Sequence, residues 1–330
     1  MEPSQLSPQA RLWQLGLGFA NTSVLHALVK SGVIERLRAG PSGVPELAQA
    51  AGLDAGMLSR TLRFAAALGV VAQDGEQYRL TDVGRLLLEG EPGSMYQGLM
   101  LIGAEPWRNA WGNFMHSLTT GESAFEPVMG ANFFDYLGRH PEYGVPFDRW
   151  QTTLTTVAAR TVSDAYDFTP FASICDVGGG QGILLKSILA ANPHLHGILY
   201  DQESVTKDHL LVDLAGRVDV RCGDFFERVP GADALLMKNV LHDWSDEKCD
   251  VILRRCREAM RPQARLLVVE MVIATPADLM GAFYDLHMQV MLGGKERTEQ
   301  EFRALLRNAG FTLQRVIATA SPLKILEATL

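Results

Sequence analysis

The second half of the chain alternates short apolar runs with longer segments whose apolar residues recur at helical spacing. Short apolar runs of this kind are typical of buried strands, and the intervening segments are typical of amphipathic helices. Their alternation predicts an α/β fold, a doubly wound, mostly parallel sheet. The predicted strands cover residues 173–177, 196–200, 218–222, 233–238, 265–272, 311–318 and 323–329. The last two have the β-rich pattern expected of a closing antiparallel pair.

The front of the chain has a different pattern. Apolar residues at helical spacing predict a helix over residues 9–31, followed by two short helices over 45–51 and 55–68. Two short β-like runs then flank Asp74-Gly75, a dipeptide typical of hairpin turns. Helices followed by a small hairpin resemble a winged helix. Because residues 20–90 contain seven basic and seven acidic residues, we expect a dimerisation module and not a DNA-binding one.

A helical pattern rich in aromatic residues separates the front module from the sheet. Aromatic side chains placed just before a ligand-binding sheet form a suitable wall for a planar apolar substrate. We therefore predict a winged-helix-like dimerisation domain over residues 1–100, a helical connector over 101–168 that forms part of a substrate pocket, and the sheet domain over 169–330.

Composition restricts the class of protein. With 330 residues, of which 47% are hydrophobic and 21% charged, the chain has an ordinary globular composition and is long enough for two domains. A net charge of −8 argues against nucleic acid or an anionic membrane as the main partner. No apolar run approaches the roughly 18 residues of a membrane-spanning helix, and residues 1–8 lack the pattern of a signal peptide. We expect a cytoplasmic protein.

The four cysteines show no paired spacing of the kind that binds metals. Small buried apolar residues are the expected role, in preference to metal ligands or disulfide partners. The residues concerned are Cys175, Cys222, Cys249 and Cys256.

The chemistry begins at the glycine-rich segment Asp176-Val-Gly-Gly-Gly-Gln-Gly182, between the first strand of the sheet and a helix predicted over 183–191. Glycines let the backbone approach a ligand closely, and a helix N-terminus offers unpaired N–H groups. The dinucleotide pattern G-x-G-x-x-G does not fit, because Ile183 or Leu185 occupies its third glycine position. Asp201 ends the next strand, where a carboxylate can bind both hydroxyls of a ribose.

Further candidates follow the later strands, at the sheet edge where such folds bind ligands. Asp224 and Phe225 follow the third strand, and we expect them to contact an adenine. His242 follows the fourth strand, directly before Asp243 and Trp244. A histidine at this position is a candidate catalytic group.

Two glutamates complete the candidate set. Glu270 ends the fifth strand and Glu296 precedes a helix opened by Thr298 and Glu301, which form the pattern of a capping box. Taken alone, Glu296 would be interpreted as a surface loop residue.

Four motifs together resemble the S-adenosylmethionine (SAM)-dependent small-molecule O-methyltransferases. This family includes plant caffeic acid and flavonoid enzymes and bacterial enzymes that methylate antibiotic and pigment phenols. The motifs are Asp176-Val-Gly-Gly-Gly-Gln-Gly182, Gly223-Asp-Phe-Phe226, Leu241-His-Asp-Trp-Ser-Asp-Glu247 with Lys238, and Gly293-Gly-Lys-Glu-Arg-Thr298. The resemblance covers nearly the whole chain and implies a Rossmann-like methyltransferase sheet, SAM as cofactor, no metal, and a homodimer.

The resemblance also implies roles for individual residues. His242 is expected to be the general base that activates a phenolic hydroxyl, with Glu270 and Glu296 beside it. The expected cofactor contacts are Asp176, Gly178, Gly180, Asp201, Asp224, Phe225, Lys238, Asp243 and Trp244. The expected acceptor pocket draws on Phe133, Leu137, Tyr143, Phe147, Gln151, Leu154, Met288 and Met291.

Two other functions stay open at this point. Some relatives in the family retain the fold and cofactor but catalyse hydroxylase- or cyclase-like chemistry without methyl transfer. A DNA-binding regulator that uses SAM as a ligand is the other alternative, and the charge balance of the front module disfavours it. The identity of the acceptor is not readable from the sequence.

Overall fold

The computed structural model describes residues 7–214 and 216–330, and the chain divides after Arg108 into two compact units. The first unit contains seven helices and a three-stranded antiparallel sheet in the order β1-β3-β2. Its helices are α1 (Pro8–Gly16), α2 (Gly18–Lys30), α3 (Val33–Arg36), α4 (Val44–Ala51), α5 (Ala55–Ala67), α6 (Asp82–Arg85) and α7 (Tyr96–Ile102). Its strands are β1 (Ser42–Gly43), β2 (Val71–Asp74) and β3 (Gln77–Leu80).

Side-chain caps define the ends of the short helices in this unit. Asp54 accepts from the Met57 N–H at the start of α5, and Thr81 accepts from the Gly84 N–H at the start of α6. Leu62 and Leu88 lie fully buried at the centre of the unit. The hairpin predicted around Asp74-Gly75 is confirmed as β2 and β3.

The helix predicted over residues 9–31 is interrupted at Leu17, where two flanking glycines weaken the helix and the backbone leaves the helical region. The first piece, α1, buries none of its residues within the chain. Leu12 and Trp13 are each 72% exposed, and Phe19 at the start of α2 is equally exposed. The apolar residues of α1 therefore form an uncovered surface on the single chain.

The second unit contains a seven-stranded sheet flanked by helices. Its strands are β4 (Ser173–Val177), β5 (His196–Asp201), β6 (Val218–Cys222), β7 (Ala234–Lys238), β8 (Arg265–Met271), β9 (Thr312–Ala318) and β10 (Leu323–Thr329). Its helices are α9 (Phe114–Thr120), α10 (Phe125–Met129), α11 (Phe133–Arg139), α12 (Pro141–Ala165), α13 (Ile183–Ala191), α14 (Glu203–Thr206), α15 (Asp246–Ala259), α16 (Leu279–Leu292) and α17 (Glu299–Asn308). Helix α8 (Glu105–Gly112) crosses the division between the units, and short 3₁₀ turns cover Leu37–Ala39, Val212–Leu214 and Leu241–Asp243.

The sheet has the strand order β6-β5-β4-β7-β8-β10-β9. The first five strands in this order are parallel to one another, and β10 pairs antiparallel with both β8 and β9. Because β4 to β8 are parallel, their carboxyl ends and the loops that follow them meet at one edge of the sheet. The predicted α/β class, all seven strands and the closing antiparallel pair are confirmed.

Apolar clusters cover both faces of the sheet. One face packs against α15 and α17 through residues such as Leu253 and Phe302, and the other packs against α12 and α13 through residues such as Val162 and Leu185. The central strand β4 alternates its buried side chains between the two clusters. The sheet therefore holds its carboxyl edge rigidly.

The expectation that all four cysteines are buried is wrong for Cys222. Cys175, Cys249 and Cys256 are buried and unpaired, but Cys222 is exposed. The reason is its position at the end of β6, a strand with a neighbour on one side only. Within the described residues, no helix is both long enough and apolar enough to cross a membrane.

Candidate active site

The glycine-rich loop after β4 follows a path that larger residues could not take. Gly178 and Gly180 both have positive φ, 69° and 59°. A Cβ atom on Gly178 would lie 2.8 Å from Val240 Cγ2, whereas one on Gly180 would meet no atom within 4 Å. Gly178 thus fits tightly against the loop after β7, and Gly180 borders open space where a ligand can approach the backbone.

The structure brings Asp201 to this loop, as the sequence predicts. Its Oδ2 atom accepts the Gly180 N–H at 2.8 Å, and Oδ1 accepts the Gln202 N–H at 2.7 Å. Burial raises the pKa of Asp201, and these two backbone bonds oppose the rise. Each oxygen keeps a second lone pair for the hydroxyls of a ribose.

Asp176 lies beneath the loop and is almost completely buried. Neither of its oxygens makes a well-formed hydrogen bond within the described part of the chain. Burial raises its pKa to about 7, although the charge of Lys238 acts in the opposite direction. The half-buried Lys238 ammonium interacts electrostatically with Glu270 and Asp243 as well as with Asp176.

The residues after β6 form an aromatic cluster with the loop after β7. Asp224 accepts the Phe226 N–H at 2.8 Å, which fixes the turn that presents Phe225. The ring centroids of Phe225 and Trp244 are 6.2 Å apart, and those of Phe226 and Trp244 are 4.9 Å apart. Trp244 Nε1 is buried without a hydrogen-bond partner among the described residues. The predicted adenine contacts therefore share one surface with Trp244.

His242 lies in the 3₁₀ turn after β7, against two buried glutamates. Its Nδ1 atom is 2.8 Å from Glu296 Oε1 and 3.7 Å from Glu270 Oε2. Glu270 and Glu296 are at most 3% exposed. The opposite ring nitrogen, Nε2, is 3.3 Å from Asp243 Oδ1. The family resemblance implied that both glutamates lie beside His242, and the structure brings these three residues together.

This arrangement changes the basicity of His242. Burial disfavours the charged imidazole, but the negative charges of Glu270, Asp243 and Glu296 outweigh burial and raise the pKa of His242 to about 10. Because a carboxylate only accepts, Glu296 stabilises the tautomer or imidazolium that carries hydrogen on Nδ1. In the neutral ring the lone pair then lies on Nε2.

Backbone contacts fix both glutamates. Glu270 Oε1 accepts the N–H groups of Val240 and Leu241, at 3.0 and 2.9 Å, and so joins the end of β8 to the turn of His242. Lys295 donates its N–H to the His242 carbonyl at 2.9 Å. A Cβ atom on Gly294 would collide with that same carbonyl oxygen, so the Gly-Gly pair before Glu296 permits this close approach.

Sequence reasoning missed the role of Arg297. Its side chain is completely buried and donates to the carbonyl oxygens of Leu241 and Trp244, at 2.8 and 2.9 Å. The same guanidinium pairs with Asp246 Oδ1 at 2.8 Å. Arg297 therefore ties together the two ends of the segment that carries His242. Its position next to Glu296 in the motif was the signal available in the sequence.

The proposed acceptor-pocket residues fall into three groups. Phe133 and Phe147 touch edge to face, with ring centroids 5.3 Å apart, and Leu137 is buried one turn after Phe133. Tyr143 stacks on Tyr136, while Gln151 and Leu154 lie half-buried further along α12. Met288 and Met291 are buried on α16, which packs against the turn of His242.

Comparison with known proteins shows which family the chain belongs to. A family model described as an O-methyltransferase domain matches residues 111–312, and a model described as an O-methyltransferase dimerisation domain matches residues 13–90. The phenazine O-methyltransferase PhzM of Lysobacter antibioticus is 39% identical over 324 residues, which is 96% of this chain and 95% of that protein.

Two solved structures extend the comparison. The mitomycin 7-O-methyltransferase MmcR has a TM-score of 0.94 at 34% identity, over 97% of both chains. NcsB1, an O-methyltransferase of neocarzinostatin biosynthesis solved with SAM and 2-hydroxy-5-methyl naphthoic acid, has a TM-score of 0.84 at 30% identity, over 94% of this chain and 96% of that one. The chain belongs to the SAM-dependent O-methyltransferase family.

The buried contacts of Arg297 predict a large effect on stability. Arg297→Met removes the guanidinium bonds to the carbonyls of Leu241 and Trp244 and the ion pair with Asp246, and a hydrogen bond to a charged group contributes about 1.5–3 kcal/mol. We expect urea titration to show a free energy of unfolding lower by about 2–6 kcal/mol. The control Arg303→Met, which breaks an exposed pair with Glu299, should cost about 1 kcal/mol or less. Equal stability of the two variants would contradict the role of Arg297.

Proposed function

We propose that this enzyme transfers a methyl group from SAM to a hydroxyl of a small aromatic acceptor, with His242 as the general base. The observation that carries the proposal is the hydrogen bond from His242 Nδ1 to the buried Glu296 carboxylate. A hydroxyl of phenolic type titrates near 10, far above a free imidazole near 6.5. The carboxylates around His242 raise its pKa to about 10, so the ring is mostly protonated at neutral pH, and its small neutral fraction is a base strong enough for such a hydroxyl.

The cluster also supports the direction of proton transfer. Glu296 holds the Nδ1 side of the ring, so the neutral ring accepts a proton at Nε2. Asp243 lies beside Nε2, where it stabilises the imidazolium that forms. General-base assistance of this kind typically contributes about 10² to 10⁴ in rate. An intact base with both acids favours methyl transfer over hydroxylase- or cyclase-like chemistry.

The edge of the sheet fits a SAM molecule. Gly180 borders open space, Asp201 retains lone pairs for ribose hydroxyls, and the Trp244 indole N–H has no partner among the described residues. We propose that Asp176, Gly178, Gly180, Asp201, Asp224, Phe225, Lys238, Asp243 and Trp244 form the cofactor site. Bound SAM supplies a methyl group on a positively charged sulfur, which is already activated for displacement. The protein must then align the acceptor and accept its proton.

We further propose that α11, α12 and α16 line the acceptor pocket within the second unit. Phe133, Phe147 and Met291 offer flat or flexible apolar surface, which suits a planar ring. The family includes enzymes of antibiotic and pigment biosynthesis, and a small aromatic secondary metabolite is the acceptor class that we propose here.

Two substitutions separate the proposed roles. His242→Ala removes the base and should reduce turnover about 10² to 10⁴-fold, while the dissociation constant of SAM changes less than about two-fold. Asp201→Ala removes the carboxylate that we propose binds the ribose hydroxyls. It should weaken SAM binding about ten-fold or more, because a hydrogen bond to a charged group contributes about 1.5–3 kcal/mol. Calorimetry measures SAM binding, and mass spectrometry measures label transfer from methyl-labelled SAM into a panel of phenols.

The outcomes test the two assignments separately. Equal loss of SAM affinity and turnover in His242→Ala would contradict the role of His242 as base. Wild-type SAM affinity in Asp201→Ala would contradict the ribose assignment. The variant Asp213→Ala is a suitable control, because that carboxylate pairs with Lys186 on the surface and lies outside the proposed site.

We propose that the enzyme is a homodimer formed through its first unit. The exposed apolar residues Leu12, Trp13 and Leu15 on α1 fall within or directly beside the matched dimerisation region. An uncovered apolar surface of this kind is typical of an interface. The resemblance also suggests that Trp13 or Phe19 approaches the partner's acceptor pocket. The equal numbers of acidic and basic residues over residues 20–90 support dimerisation over DNA binding.

Sedimentation velocity tests the dimer. Wild-type protein should sediment as two chains, and Trp13→Asp combined with Leu15→Asp should sediment as one, because charge placed in an apolar interface is costly. Val212→Asp, at a residue that is 75% exposed in the second unit, should remain dimeric. A wild-type monomer at micromolar concentration, or a double variant that remains dimeric, would contradict the proposal.

A further inference from the structure

A second histidine lies near the active site, and its ring orientation and protonation are fixed. The Trp111 indole Nε1 is 3.1 Å from His287 Nδ1. An indole N–H only donates, so Nδ1 of His287 accepts and carries no proton. The imidazole of His287 also stacks on Phe283, with centroids 5.4 Å apart and planes 21° apart. The remaining ring proton is therefore on Nε2.

His287 stays neutral at physiological pH. Burial lowers its pKa to about 4, and the charge on His242 acts in the same direction. A neutral ring with Nδ1 occupied offers one hydrogen-bond donor, the N–H at Nε2. This donor does not change with pH over the range in which the enzyme would work.

The Nε2 atom of His287 has no hydrogen-bond partner among the described residues and is not closed off from solvent. His287 is half-buried, and this burial is sufficient to lower its pKa. It lies on helix α16, which packs against the turn of His242. The unused N–H therefore belongs to a helix that we propose to line the acceptor pocket.

We infer that His287 is a specificity-determining residue that selects hydroxylated aromatic compounds carrying a hydrogen-bond acceptor, such as a ring nitrogen or a carbonyl oxygen, elsewhere on the ring system. The inference rests on the proposed function, because it places the aromatic acceptor beside His242. Trp111 is a positioning residue in this account, since its indole N–H fixes the ring tautomer of His287. The stacked Phe283 holds the imidazole plane.

Matched pairs of ligands test the inference by binding, without any need for turnover. Hydroxyquinolines differ from 1-naphthol and 2-naphthol by one ring nitrogen in place of a CH group. Isothermal titration measures each ligand against the protein saturated with S-adenosylhomocysteine. In wild-type protein, at least one hydroxyquinoline isomer should bind about three- to ten-fold more tightly than its naphthol, the gain that one net hydrogen bond provides.

Two variants assign the gain to His287. His287→Phe keeps an aromatic ring on Phe283 but removes the donor. The ratio of hydroxyquinoline affinity to naphthol affinity should therefore fall to about one, while naphthol binding changes less than about two-fold. Trp111→Phe keeps the ring stack but removes the indole N–H that fixes the tautomer of His287, so it should reduce this ratio in part. Thermal unfolding shows whether each variant is folded. If His287→Phe does not fold, Trp111→Phe still tests the inference.

The remaining outcomes would overturn the inference. The inference is wrong if every hydroxyquinoline binds as tightly as its naphthol, or if neither kind of ligand binds. It is also wrong if the preference for a hydroxyquinoline survives in His287→Phe. A histidine that only supports Trp111 would change the unfolding temperature in these variants without changing the preference. Label transfer from SAM to the naphthols, measured in parallel, reports separately on the proposed function.

Discussion

The hydrogen bond between His242 and Glu296 is the contact on which the rest of the site depends. It joins an imidazole and a carboxylate inside the protein, where each charge is costly unless the other is present. Glu270 and Asp243 add negative charge at 3.7 and 3.3 Å from the same ring. The result is a histidine that is a much stronger base than a free imidazole, held in one orientation.

Several features of the fold maintain this contact. Glu270 ends β8 and accepts from the backbone at the start of the His242 turn, so the sheet itself fixes one acid. Gly294 lets the Glu296 segment approach the His242 carbonyl, and Arg297 fastens both ends of the turn. Such supporting contacts matter, because a catalytic group must be held to within a fraction of an ångström.

The sequence allowed the sheet and the identity of the central residues to be predicted. Apolar runs located all seven strands, and the position of His242 after a strand marked it as a candidate. Other features depend on tertiary contacts that no local pattern encodes. The motif places Arg297 next to Glu296 but does not show that the Arg297 side chain is buried. The contact of His287 with Trp111 joins two helices that are far apart in the sequence. The break at Leu17 follows from the two flanking glycines, a local feature that the helical periodicity alone does not show. The exposure of Cys222 depends on the packing partners of β6, which residue type does not report.

The most direct test of the account is an NMR titration of His242 in protein labelled with ¹⁵N-histidine, with the signal assigned by its loss in His242→Ala. We predict that His242 titrates well above the ordinary value near 6.5, towards 10, and that Glu296→Gln lowers its pKa because one neighbouring charge is removed. A His242 that titrates near 6.5 in wild type, unchanged in Glu296→Gln, would contradict the claim that buried carboxylates make it the base.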